Sequence, residues 1–330
     1  MSIDLPLIWA GIVAFAVLAY ILLDGFDLGV GILFPLLREG NERDTAMNSI
    51  APVWDGNETW LVLGGGGLYA AFPLAYATIL PALYIPITAM LLGLVFRGVA
   101  FEFRWRDASH RPWWDRSFAA GSMIAAAAQG VVLGALVQGV PDHIDNLWWW
   151  LSPFSLLTGV ALVIGYVLLG ATWLVMKSEG TLEKRARRLA RPAGIATVFF
   201  IGAVSALTPL LDPVYLARWF AWPSVLLSVA MPLAVLACTA TLFNGLRDGH
   251  RMAPFAASLG LFTLSFIGIL ISFFPYLVPP SISLWDAAAP DDSLAFLLVG
   301  TAVLLPIIGA YTAYSYWVFR GVTGSSGGHH

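Results

Sequence analysis

Nine long apolar runs, separated by short gaps in which positive charge alternates, constrain this chain more than any other feature of it. The runs fall near residues 6–33, 53–74, 77–100, 117–139, 153–176, 193–211, 219–243, 254–277 and 294–319. A helix needs roughly 20 apolar residues to cross about 30 Å of hydrocarbon, and these runs meet that length. Of the 17 Lys and Arg residues, 15 lie after runs one, three, five, seven and nine, while Arg97 lies inside a run and Arg218 stands alone on the other side. Basic residues near short loops stay on the cytoplasmic face, so the N-terminus is predicted outside and the C-terminus inside.

The expected fold class is an all-α integral membrane protein of about nine transmembrane helices, arranged as two four-helix bundles plus one peripheral helix. Residues 1–145 would form the first bundle, 146–285 the second, 286–320 the ninth helix and 321–330 a flexible tail of linker-like composition. Hydrophobic residues make up 59% of the chain, charged residues 11%, and mean hydropathy is +0.80, values too apolar for a water-facing surface. The net charge of −3 averages over two very different faces, so it carries no argument for a nucleic-acid partner. A single cysteine, Cys238, rules out an intrachain disulfide and a cysteine-based cluster. No cleavable leader is expected, because the first run lacks a basic start and continues past cleavage length. Trp148, Trp149, Trp150, Trp219 and Trp222 gather at the predicted outer boundary, where aromatic rings anchor in the headgroup layer.

Charges inside spans are costly and face a bundle interior or a hydrated path. Run one carries Asp24 and Asp27, three residues apart and hence on one helix face, with Gly25 and Gly29 offering a small surface for close helix approach. Run two opens with Asp55 and Glu58, and run three is predicted to end near Arg97 on the same side. Four carboxylates and one guanidinium would then meet at the cytoplasmic end of a three-helix unit, a grouping suited to holding and passing protons. Plainer readings stay open: Asp55 and Glu58 could occupy a wetted first helical turn, and Arg97 could snorkel to the headgroups. The GGGG run at 64–67 fits either close packing or a distorted helix. A faint echo links YILLDGFDL at 20–28 with YVLLGATWL at 166–174. All five histidines fall in loops or the tail, so no predicted transmembrane helix offers an imidazole to a haem or metal ion.

The segments DGFDLGVG at 24–31, NSIAPVWDGNETWLVLGGGGLYAAFP at 48–73, FRGVAFEFR at 96–104 and YWVFRG at 316–321 closely resemble subunit II of the cytochrome bd quinol oxidase family. The first 29 residues look most like its cyanide-insensitive branch. The resemblance implies a haem-bearing subunit I as partner, holding haems b and d, with quinol as substrate of the complex and dioxygen reduced to water. This chain would ligate no haem and no metal, sit among membrane lipids of the bacterial cytoplasmic membrane, and support its partner. It further implies that Asp55, beside Trp54 in the WDGN motif, contributes to proton uptake from the cytoplasm. Asp27 and Arg97 match positions associated with assembly and haem stability. A bound quinone and a small accessory subunit are further expectations of the family, with no residue here to place either. The alternative reading is a proton-coupled secondary transporter, which would also show intramembrane acids and glycine-interrupted helices; a scaffold without proton transfer is a third.

Overall fold

The computed structural model describes residues 4–141, 143 and 146–323; of the expected tail at 321–330, residues 324–330 lie outside them, as do Asp142 and Asp145. Helix initiation follows local sequence. Asp4, Ser152 and Asp212 each accept a hydrogen bond from a backbone amide of the first turn, and a proline stands at the start of each helix they cap. These are α1 (Leu5–Leu33), α7 (Pro153–Lys177) and α9 (Pro213–Phe220). Between the first two lie α2 (Asn41–Ile50), α3 (Trp54–Ala71), α4 (Pro73–Ala82), α5 (Tyr84–Arg106) and α6 (Arg111–Gln138). The remainder comprises α8 (Gly180–Leu211), α10 (Ser224–Asp248), α11 (Met252–Phe273), α12 (Leu284–Ala287) and α13 (Asp291–Val318).

Among the described residues, 8 helices are long and apolar enough to cross a membrane, or 9 if α3 and α4 count as one span. Those two meet at a bend of 119°. The predicted second run therefore breaks at Phe72, where Pro73 supplies no amide to continue the helix. The third span consequently starts later than predicted, at Tyr84, and runs on to Arg106, which puts Arg97 inside a helix rather than at its end. The glycine run at 64–67 stays helical, so it serves packing: a Cβ on Gly64 or Gly67 would come 3.2 or 3.1 Å from Val17 or Val13 of α1. One departure from an all-helical chain is a small antiparallel hairpin, β1 (Tyr276–Val278) with β2 (Ile282–Ser283), that leads into α12.

Helix α1 is the hub, packing against α3, α6, α7, α11 and α13, while α5, α6, α7 and α8 pack in sequence beside it. The closest crossing is α1 on α7, where a Cβ on Gly29 would lie 1.8 Å from the Tyr166 carbonyl oxygen and one on Gly170 would lie 2.3 Å from the Gly29 carbonyl carbon. Only glycine permits that approach. The two echoed segments meet across this crossing: the Tyr166 hydroxyl donates to Gln129 Oε1 (2.8 Å), and Gln129 Nε2 donates to the Tyr20 hydroxyl (2.7 Å).

The two ends of the molecule are closed differently. At the basic end, Arg104 of α5, predicted in a polar gap, is buried and pairs with Asp115 of α6 (2.5 Å) and Asp44 of α2 (2.8 Å). Arg43 reaches the same Asp115 (2.8 Å) and Arg111 the same Asp44 (2.7 Å). At the other end the predicted tryptophan belt divides. Trp148 and Trp222 are exposed, but Trp150 is buried, Trp149 donates to the Ala82 carbonyl (3.1 Å) and Trp219 donates to Ser272 Oγ (2.9 Å). Trp149 thereby ties its loop to α4 and Trp219 ties α9 to α11, because a buried indole N–H needs an acceptor. Gly29→Val should lower the thermal stability of the purified protein by about 1–3 kcal/mol through overpacking, whereas Gly11→Ala, with nothing within 4 Å of the added methyl, should hold or slightly raise the melting temperature.

Candidate functional site

Three apolar helices each deliver polar groups to one buried place. Asp24 and Asp27 sit on α1 about nine and six residues before its end, roughly 14 and 9 Å along the axis from Leu33. Arg97 sits nine residues before the end of α5 at Arg106, and Asn57 and Glu58 lie one turn into α3. The intervening helix α2 lies at the basic end, where its Asp44 pairs with Arg104 and Arg111, and α3 turns Trp54, Asn57 and Glu58 toward the groups of α1 and α5.

Arg97 Nη2 lies 2.7 Å from Asp24 Oδ1 and 3.2 Å from Glu58 Oε1. The guanidinium and Asp24 are buried, while the Glu58 side chain keeps 27% of its exposure. Trp54 closes the pair from one side, with its ring centroid 5.9 Å from Arg97 Cζ and 4.9 Å from that of Phe101. Asp27 is equally buried but takes a different partner: Asn57 Nδ2 donates to Asp27 Oδ2 (2.7 Å) and to the Leu23 carbonyl (3.1 Å). The Tyr316 hydroxyl of α13 donates to Asn57 Oδ1 (2.9 Å), so both amide hydrogens and the amide oxygen are used. Asp27 Oδ1 and Arg97 Nη1 are buried without a hydrogen-bond partner among the described residues.

Asp24, Asp27, Glu58 and Arg97 thus come together, with Gly25 and Gly29 on the same stretch of α1 but turned to Tyr166 and α7. Asp55 does not join them. It is exposed in the first turn of α3, with no ion pair among the described residues. The predicted group of four acids is therefore three plus one, because Asp55 falls with Thr59 and Val62 on the exposed face of α3 while Trp54, Asn57 and Glu58 turn toward α1 and α5. Asp24 and Asp27 are both fully enclosed. Asn57, Tyr316, Tyr20 and Gln129 were not singled out from the sequence; a neutral amide or phenol within an apolar run resembles ordinary helix packing, and only its partners reveal its part.

No group of three or more His, Cys, Asp or Glu side chains that could hold a metal occurs among the described residues. His110, His143 and His250 lie in a 3-10 turn, a bend and a helix junction, so their imidazoles do not fit haem ligation within the bundle.

Asn57→Ala should remove the partner of Asp27 Oδ2, the Leu23 carbonyl and the Tyr316 hydroxyl together. Leaving buried polar groups unpaired costs about 1–3 kcal/mol each, so the melting temperature should fall clearly, and Tyr316→Phe should produce a smaller fall. An unchanged melting curve for Asn57→Ala would contradict the network.

The family model described as cytochrome bd terminal oxidase subunit II matches residues 5–319. Cytochrome bd-I ubiquinol oxidase subunit 2 of Escherichia coli K12 is 32% identical over 365 residues, covering 96% of this chain and 94% of the relative. Cytochrome bd ubiquinol oxidase subunit 2 of Bacillus subtilis is 32% identical over 335 residues, with 95% of each chain covered. Among solved structures, a chain of the bd oxidase from Geobacillus thermodenitrificans shares the fold with a TM-score of 0.78 at 18% identity, covering 96% of this chain and 99% of that one. With nearly its whole length matched, this multi-pass protein of the bacterial cytoplasmic membrane belongs to the family of cytochrome bd terminal oxidase subunit II.

Proposed function

We propose that this chain is the subunit of a quinol:dioxygen oxidoreductase complex that ligates no haem, stabilises a haem-bearing subunit I and draws protons for dioxygen reduction from the cytoplasmic side. The observation that carries the reading is the contact of one enclosed guanidinium, Arg97, with Asp24 and Glu58, beside the Asn57-bound Asp27. A structural ion pair would need one acid. Three acids around one guanidinium leave titratable capacity that the pair does not consume, and such groups within a membrane mark ion or proton paths.

The exposures support one order for the path. Asp55 is exposed at the start of α3, Glu58 is half-buried one turn on, and Asp24 and Asp27 are enclosed. A proton taken up at Asp55 would pass to Glu58, with Arg97 holding the Glu58 and Asp24 carboxylates in reach of each other. Trp54 would keep lipid and bulk water from the guanidinium. Uptake from the cytoplasm, set against quinol proton release outside, stores about 2.3 kcal/mol for each charge moved against 100 mV. Haems b and d are expected in the partner, since this chain's imidazoles do not fit them. Membrane lipids, a small accessory subunit and a bound quinone belong to the same proposal.

Quinol oxidase assays of the complex in liposomes, with haem content measured in parallel, test the reading. Glu58→Gln keeps size and hydrogen bonding but removes the titratable group, and should slow turnover by about tenfold or more at unchanged haem content. Asp55→Asn should slow it less, because water can stand in for an exposed acid. Unchanged turnover and proton uptake in both variants would leave a scaffold role in place of proton transfer. Expressed without its partner, the chain should purify without a stoichiometric haem; one haem per chain with a strong Soret band would overturn the assignment.

A further inference from the structure

Apart from the acidic cluster, the basic end holds a cavity of about 130 Å³ lined by Arg38, Glu42, Thr181, Lys184, Arg185 and Arg188. The last four fall on one face of α8 at the helical spacings of three and four, while Leu182, Ala186 and Ala190 on the other face are buried. Four cations thus line the cavity against one carboxylate. Arg185 is engaged, its Nε 2.9 Å from Glu42 Oε2 and its Nη1 3.1 Å from the Leu36 carbonyl. Arg38, Lys184 and Arg188 have no ion pair among the described residues, and their side chains are exposed.

Charge asymmetry across the membrane would account for the basic residues but not for Glu42. Its side chain is only 6% exposed, its Oε2 accepts from the Arg38 amide (2.9 Å) and contacts Arg185, and its enclosed Oε1 has no hydrogen-bond partner among the described residues. A carboxylate held at the wall of a basic cavity with one free acceptor oxygen calls for a ligand that is both anionic and a donor. The depth narrows the choice. Arg188 precedes the apolar part of α8, which starts at Ala193, by five residues or about 8 Å, and the headgroup layer is roughly 5–8 Å deep on each face.

We propose that this cavity binds the headgroup of an anionic glycerophospholipid, its phosphate held by Arg38, Lys184 and Arg188 and a headgroup hydroxyl donating to Glu42 Oε1. The seat joins the end of α1, α2 and the start of α8, so an occupied site ties the two halves of the chain together at the cytoplasmic boundary.

The test is a titration of the delipidated two-subunit complex in detergent, read by native mass spectrometry. Dioctanoylphosphatidylglycerol should bind more tightly than dioctanoylphosphatidylcholine. It should also bind more tightly than dioctanoylphosphatidylmethanol, which keeps the anionic phosphate and lacks the hydroxyls. Each basic side chain near an anionic headgroup contributes about fivefold, so K184A/R188A should weaken phosphatidylglycerol binding by roughly 30-fold. R247A, which removes an exposed arginine paired with Asp248 outside the cavity, should bind like the parent. Equal binding by K184A/R188A and the parent would overturn the site. Displacement of the lipid by inorganic phosphate at equal concentration would overturn the lipid as its occupant, and equal binding of phosphatidylmethanol would overturn the part assigned to Glu42.

Discussion

A guanidinium keeps its charge inside a membrane bundle, so the fold must surround Arg97 with acids or not form. Asp24 on α1 and Glu58 on α3 supply them at 2.7 and 3.2 Å. α5 runs past Arg97 for nine further residues, its basic last turn fixed by Arg104 on Asp115 of α6 and Asp44 of α2. Removing one member of a buried pair costs about 3–5 kcal/mol, on the scale of the whole stability of a domain.

The second acid of α1 shows how the same helix separates two tasks. Asp24 neutralises the arginine, whereas Asp27, three residues on, is held by the amide of Asn57. Tyr316 then locks that amide, which gives the last helix a polar contact with the site although most of its surface is exposed. On the far side of α1 the contact is purely steric, Gly29 against Gly170, and the hydroxyls of Tyr20 and Tyr166 share Gln129 just beyond it. One helix is thereby fixed by charge on one face and by close backbone approach on the other.

The membrane architecture and the buried acids were legible because hydrocarbon imposes length on spans and a penalty on charge, and both penalties leave marks in composition. Asp24, Asp27, Glu58 and Arg97 stood out as charges in or at the ends of apolar runs. What stayed hidden depended on partners rather than on residue type. Asn57, Gln129 and Tyr316 are ordinary in isolation, and Arg104 read as a loop charge because the acids that bury it, Asp44 and Asp115, come from two other helices. Asp55 was grouped with Glu58 by spacing alone, a rule that fails here because Asp55 shares the exposed face of α3 with Thr59 and Val62. The break at Phe72 did have a signal, the proline that follows it, masked by the continuous hydrophobicity on both sides.

The account makes Arg97 and Asp24 one unit, and a double-mutant cycle measures that directly in the assembled complex. Replacing a buried ion pair by apolar side chains of similar size is often close to neutral, whereas removing one partner is strongly destabilising. Asp24→Leu and Arg97→Met should each sharply reduce the yield and melting temperature of the complex, and the combined Asp24→Leu/Arg97→Met variant should recover a large part of both. Losses in the double variant equal to the sum of the two single losses would show that the two groups do not depend on each other, and would contradict the central place given to this ion pair.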